Sequence, residues 1–320
     1  MQTLLQSTQA YRLLKTEIEG SQRGHAYLLL FADGRNLRCA AKTFAQLFFS
    51  PNGENPRAED LIEREIFSDC LFFPQDEKKL TVEDAEKIQE ECTLSPVEGD
   101  MKVFVVGDFS EANVQTQNKL LKLLEEPPQG VVFLLCATNV YPILTTVLSR
   151  VKRLEIQPFS VDEVNEYLHR KYGESHDENT LSVCAATSNG IVGEAQNALE
   201  GGYYKTLTEA AFALAGEPRT QIPLTVKQIG ETKYKKELLN ILRLIFRDML
   251  ILKTQSKKAE RQLLLKGEKE RLVSIAEKYT VNGLLYAQTA ITEAEKQVRF
   301  NAVFPQCIEL CMIKIRENNK

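Results

Sequence analysis

Three stretches of this chain contain residues whose type and spacing could do phosphate chemistry. The first is Ser149-Arg150, which closes a short connection after the apolar run from Val131 to Ala137. Arginine stays protonated and offers a planar fork of donors to phosphate oxygens. A positioned arginine can neutralise charge on a transferring phosphoryl group. The second stretch is Phe31-Ala32-Asp33-Gly34-Arg35-Asn36-Leu37-Arg38, between an apolar run and a helical pattern. A phosphate-binding loop there needs glycines so that backbone N–H groups wrap the phosphates, a lysine, and a hydroxyl for Mg²⁺. Phe31 stands at the first glycine, and Asn36, Leu37 and Arg38 stand where glycine, lysine and serine or threonine belong; only Gly34 survives. The third is Val105-Val106-Gly107-Asp108, where a strand end would carry the Mg²⁺-holding carboxylate. Asp108 comes one residue late and no glutamate follows it. An isolated aspartate at a strand end is ordinarily a turn residue or a cap. Both halves of the phosphoryl-transfer apparatus are degraded together, so the loop reads as vestigial or structural, with no bound cofactor. Taken alone, an arginine at a turn is ordinarily a solvated charge.

The elements that must position these residues are legible in the pattern. Ala26–Phe31, Lys102–Val106 and Val131–Ala137 are short, continuously apolar runs, as in strands buried on both faces. Arg153–Ile156 is a fourth strand, and Leu71-Phe72-Phe73 is another ended by Pro74. Between them lie helical patterns: Tyr11, Leu14 and Ile18 in the first segment, and Ala41, Phe44, Ala45 and Phe48 in the second. Thr81-Val82-Glu83-Asp84 opens another as a capping box, with Ala85, Ile88 and Cys92 on one face. Residues 50–60 are turn-rich and read as a surface loop. A helix through Asn118-Lys119-Leu120-Leu121-Lys122-Leu123-Leu124 runs into Glu125-Glu126 and stops at Pro127-Pro128. Strands alternating with helices imply parallel pairing through right-handed crossovers, hence a layered α/β domain. Beyond Pro158 no strand-like run returns. The boundaries read as an α/β core over 1–159, a small helical unit over 160–204 and a helical domain over 205–320.

The bulk composition narrows the classes. A formal net charge of −4 argues against a dedicated nucleic-acid binder. No apolar run reaches the length of a membrane span. The N-terminus lacks a basic region and an apolar signal core, so a cytoplasmic protein is expected. The seven cysteines are scattered and no Cys-x-x-Cys pair occurs. Cys307 and Cys311 share a helix face, but two ligands do not make a zinc site, and no metal is expected.

Over residues 24–200 the chain resembles the clamp-loader branch of the AAA+ ATPases. The stretch from Asn118 to Pro128 is very close to that branch's Asn-Ala-Leu-Leu-Lys-x-Leu-Glu-Glu-Pro-Pro signature. His25-Ala26-Tyr27-Leu28 is similar to its opening strand. Thr138-Asn139 with Ile143 to Arg150 is similar to its sensor-1 strand and Ser-Arg-Cys motif, with Val151 in place of the cysteine. Ser188 to Ala195 fits the lid motif, with Gly193 where nucleotide-binding members have an arginine; residues 48–73 hold only Cys70 of the zinc ligands many members carry. The resemblance implies a RecA-like parallel sheet core, a helical lid and an oligomerising collar within a pentameric ring. Each ATP lies between two subunits, and a neighbour's arginine completes the site. It further implies a non-hydrolysing member that lends Arg150 in trans, with Ser149 and the strand before it placing the arginine. Asn118, Glu125, Glu126, Pro127 and Pro128 would help shape the subunit interface. The implied partners are the gamma/tau and delta subunits, and the sliding clamp and primer–template DNA through the assembled complex. An active ATPase with a non-standard site is the alternative.

Overall fold

A computed structural model describes residues 1–20, 23–75, 79–230, 232–255 and 262–319. The chain divides into two compact units, Met1–Pro158 and Phe159–Lys320.

The first unit is built on five parallel strands: β1 (Ala26–Phe31), β2 (Cys70–Phe73), β3 (Lys102–Asp108), β4 (Val131–Ala137) and β5 (Lys152–Ile156), in the spatial order β2-β3-β4-β1-β5. The central strands are apolar without alternation because both of their faces are covered. On one face Phe73, Phe104 and Phe133 stack from β2 to β4, with centroids 6.4 and 5.5 Å apart. Helices α5 (Val82–Glu91) and α6 (Val114–Glu125) close over them with Ala85, Ile88, Leu120 and Leu124. The opposite face takes α3 (Leu37–Phe49), whose Phe48 lies 5.9 Å from the ring of Tyr27. Two N-terminal helices, α1 (Gln2–Gln6) and α2 (Gln9–Glu19), complete this layer, with Tyr11 edge-on to Phe44.

Local signals account for the element boundaries. The Thr81 side chain accepts from the Asp84 N–H and the Asp84 side chain accepts from the Thr81 N–H, the reciprocal cap expected of α5. The stretch 50–60 departs from the expected loop. Asn55 caps a helix, α4 (Pro56–Glu63), with Pro56 in its first turn. Proline there has no hydrogen bond to lose and its fixed φ suits the helix, so a residue read as a breaker opens the element. The connection before β5 also departs, because Thr145–Leu148 forms a one-turn helix, α7, between β4 and Arg150.

The second unit is helical throughout the described residues, and the expected pattern over 231, 256–261 and 320 lies outside them. Helices α8 (Val161–Tyr172), α9 (Glu178–Thr187) and α10 (Val192–Gly201) come first, and Gly202 ends α10 in the left-handed region at φ 63°. Gly193 is buried in α10. Among the described residues six more helices follow: α11 (Tyr204–Gly216), α12 (Ile222–Ile229), α13 (Lys235–Thr254), α14 (Lys269–Ala276), α15 (Val281–Arg299) and α16 (Phe304–Glu317). Helix α13 buries Leu238, Leu242, Ile245 and Met249, and α16 buries both Cys307 and Cys311 as small apolar groups.

Phe133 is fully buried in the aromatic stack. Phe133→Ala is expected to lower the stability of the first unit by about 3–5 kcal/mol, read from urea denaturation.

Candidate functional site

The turn after β1 folds onto itself. Asp33 is buried; its carboxylate accepts from the Asn36 N–H at 3.1 Å and from Asn36 Nδ2 at 2.7 Å. Gly34–Asn36 form a single 3-10 turn, and α3 starts at Leu37. The Asn36 N–H at the mouth of the helix, which would face a phosphate, therefore already has a carboxylate partner. Arg38 points to Glu65, with Nε donating to Oε1 at 2.6 Å and Nη2 donating to Oε2, while Nη1 donates to the Pro74 carbonyl at 3.2 Å. Lys42 Nζ is 3.1 Å from the same carboxylate. Glu65 adopts φ 59°, a left-handed backbone for a non-glycine residue. Burial pushes its pKa up, but the hydrogen bonds and charges of Arg38 and Lys42 outweigh this and hold it below the ordinary value.

At the end of β3, Asp108 takes four donors. Oδ1 accepts from the Ser110 and Thr138 N–H groups at 3.1 and 3.2 Å and from Ser110 Oγ at 2.5 Å; Oδ2 accepts from Thr138 Oγ1 at 2.7 Å. It is the cap the sequence suggested, and it also clamps the residue after β4. A cavity of about 700 Å³ remains between these groups, lined by Gly34, Leu37, Arg38, Val105 and Asp108 among others. The residues do not fit a Mg²⁺–nucleotide. Leu37 brings no ammonium, Arg38 brings no hydroxyl and is engaged by Glu65, and both oxygens of Asp108 are occupied.

The second constellation lies where α6 returns to β4. Asn113 caps the start of α6 by accepting from the Thr116 N–H at 2.8 Å. At its end the Glu126 N–H donates to Lys122 O, and His25 Nε2 donates to the Leu124 carbonyl at 3.0 Å, which leaves that terminal acceptor satisfied. Pro127 and Pro128 block further helix, and the Val131 N–H donates back to Pro128 O at 3.1 Å. Gly130 is required in that turn: its φ is +77° and a Cβ would fall 2.6 Å from the Asp100 carbonyl oxygen.

Arg150 stands directly after α7. Its Nη1 donates to Thr146 O at 2.9 Å and to Ser149 Oγ at 3.3 Å, and its Nη2 lies 3.2 Å from Glu125 Oε1. Ser149 Oγ in turn donates to Thr146 O at 3.1 Å. The side chain of Arg150 is 31% exposed and that of Glu125 58%, so the pair is reachable from solvent. Of the residues singled out in the sequence, Ser149, Arg150 and Glu125 are brought together. Glu126 is exposed at the helix end, the two prolines are half-buried, and Asn118 is exposed on α6 about two turns before Glu125. Ser149 places the arginine together with the α7 turn, and not with a strand as expected, because Thr145–Leu148 is helical.

The two constellations sit at opposite ends of the strands. Lys152 pairs with Tyr27 near the start of β1, and Ile156 pairs with Phe31 at its end. Arg150 precedes the first of these positions and the Asp33–Arg38 turn follows the second. The six residues of β1 rise about 3.3 Å each, so the arginine and the turn are separated by roughly 20 Å along the strand.

Sequence reasoning missed the residue that ties α6 to α7. Gln117 is buried; its Nε2 donates to Ala112 O at 3.0 Å and to Pro142 O at 3.1 Å, and its Oε1 accepts from the Leu144 N–H at 2.9 Å. Its one sequence signal is a polar residue on the stripe occupied by Leu120 and Leu124.

The first unit, a parallel five-stranded sheet with a helix-mouth turn at one end of the strands and an arginine at the other, is a layered α/β architecture. Comparison with known proteins narrows this class. Residues 6–160 match the family described as "DNA polymerase III, delta subunit". The chain is 29% identical over 136 residues to DNA polymerase III subunit gamma of Buchnera aphidicola subsp. Schizaphis graminum, covering 41% of this chain and 38% of that protein. It is 27% identical to subunit tau of Escherichia coli, over 51% of this chain and 25% of that protein. It is 26% identical to subunit delta' of Bacillus subtilis, over 49% of each. The alignments thus span half or less of each relative's length. That family match covers nearly the whole of the first unit.

Two outcomes test the geometry. Gln117→Ala leaves three backbone groups without their partner and is expected to cost about 1–3 kcal/mol in denaturant unfolding. Because the pKa of Glu65 is lowered in the folded chain, its stabilisation is present above the ordinary carboxylate pKa and lost as pH falls through the folded value. Glu65→Gln is therefore expected to be less stable than the parent at neutral pH, with the difference shrinking in acid, as read from thermal midpoints against pH.

Proposed function

We propose that this chain is the delta prime-type subunit of a bacterial clamp loader: a stator that hydrolyses no ATP itself and lends Arg150 to ATP held by a neighbouring gamma/tau-type subunit. The observation that carries the reading is the placement of Arg150 at the end of the strands opposite its own degenerate turn, on the order of 20 Å away by strand rise. No side-chain movement brings that guanidinium to its own domain's cavity, so a nucleotide it served would be held by another chain. The altered turn supports the same reading: Arg38 is committed to Glu65 and Asp108 to Ser110 and Thr138.

On this reading the reaction takes place on the neighbour. Arg150 would sit against the transferring phosphoryl group and neutralise developing negative charge. Such an arginine contributes on the order of 10³–10⁵ in rate. Glu125 to Pro128 would form the adjoining part of the interface, with Asn118 further along the same helix. Within the second unit, residues 160–204 would act as lid and residues 205–320 as collar, packing against the gamma/tau and delta subunits. Clamp and primer–template DNA would be engaged by the assembled complex.

The cavity of about 700 Å³ beside Gly34 and Arg38 favours one second reading, an ATPase with a non-standard site. Titration of the isolated chain with Mg²⁺–ATP separates the two: no turnover is expected, and tight Mg²⁺-dependent binding with phosphate release would establish the second reading. The stator reading is tested by reconstituting the complex with gamma/tau and delta subunits. Arg150→Ala is expected to abolish phosphate release from the one site it serves and to depress clamp loading, while gel filtration shows the complex intact. Arg150→Lys is expected to recover little, because a point charge does not reproduce the planar fork. Unchanged phosphate release in Arg150→Ala would overturn the assignment.

A further inference from the structure

We infer that Glu125 is a parking partner for Arg150, holding the guanidinium where an incoming phosphate must displace a carboxylate before the arginine engages. The inference rests on the reading of Arg150 as an arginine lent in trans and adds a positioning residue to it.

The guanidinium is divided between two kinds of acceptor. Nη1 is anchored to its own element, through Thr146 O at 2.9 Å and Ser149 Oγ at 3.3 Å. Nη2 faces a different element and meets the Glu125 carboxylate, 3.2 Å away at the end of α6. Carboxylate and phosphate oxygens present similar acceptors to an arginine fork. The Glu125 oxygen therefore occupies the position a phosphate oxygen would take, and one can replace the other while the anchor on α7 stays in place. Glu125 is the more exposed partner, at 58% against 31%. An ion pair this exposed is weak, so displacement is cheap, but the carboxylate still offsets part of the attraction that Arg150 offers an anion until the exchange occurs. The corner that carries Glu125 is held rigidly by His25, Pro127, Pro128 and Gly130, so the carboxylate is presented at a fixed place.

The test uses the reconstituted complex with ATP, clamp and primed DNA. Glu125→Gln removes the charge and keeps an acceptor. It is expected to raise kcat/KM for ATP by roughly 2–5-fold, the range of an exposed ion pair. Glu125→Asp, which keeps the charge but shortens its reach, is expected to gain less than Glu125→Gln. In an Arg150→Ala background the gain from Glu125→Gln disappears, because the residue acts only through the arginine. The difference between Glu125→Gln and parent is also expected to shrink toward 1 M salt, where the pair is screened. The thermal midpoint of the isolated chain should be the same for parent and Glu125→Gln, which excludes a folding effect. If Arg150→Ala is defective but Glu125→Gln matches or falls below the parent, the parking role is wrong and the trans arginine stands. If Arg150→Ala is itself without effect, both fail.

Discussion

The polarity of the parallel sheet is the constraint from which the rest follows. When every strand runs the same way, all strand-to-helix exits lie at one end of the strands and all helix-to-strand returns lie at the other. The turn after β1 and the end of β3 are exits, so Asp33, Arg38 and Asp108 gather at one end. The α6–β4 corner and the α7–β5 junction are returns, so Glu125 and Arg150 gather at the other. No local interaction could merge the two groups. A single domain of this kind therefore carries two separate surfaces, one at each end of its strands.

At the exit end the polar groups are engaged with one another. Asp33 occupies the Asn36 N–H, Glu65 and the Pro74 carbonyl hold Arg38, and Asp108 is spent on Ser110 and Thr138. Each is a satisfied polar contact in a partly buried setting, and such contacts are costly to break one partner at a time. They also perform structural tasks: Arg38 joins α3 to the end of β2, and Asp108 joins β3 to β4. The cavity left beside them is a consequence of sheet geometry and persists although its polar walls face one another.

The return end shows the opposite economy. Its buried part, Gln117, is saturated by backbone partners and fixes the segment before α7 onto α6. Its exposed part, the pair of Glu125 and Arg150, is held by one solvent-reachable contact. On the proposed reading, rigid support beneath an arginine held by one weak ion pair would suit a group that acts on a partner, since the arginine would be positioned beforehand and its bond to Glu125 would cost little to give up.

Much of this was legible in the sequence because it is encoded locally. Apolar runs marked three of the strands, Arg153–Ile156 read as a fourth, and Pro74 marked the end of the fifth; Thr81-Asp84 wrote its own cap, and Pro127-Pro128 wrote the helix stop. The missing glycines, lysine and hydroxyl after Phe31 were visible by residue type alone. Local reading failed where one residue carries two meanings. Pro56 opens a helix that looked like loop, and Thr145–Leu148 is too short for periodicity to distinguish from a turn. The sequence by itself determined which residues of a phosphate-binding loop are missing after Phe31 and where an arginine stands before the last strand. The tertiary structure alone decided that Arg150 meets Glu125, that Arg38 is committed to Glu65, and that the arginine lies at the far end of the strands from its own turn. These are relations between residues distant in the chain, set by parallel pairing and by which helix covers which face, and no local pattern records them.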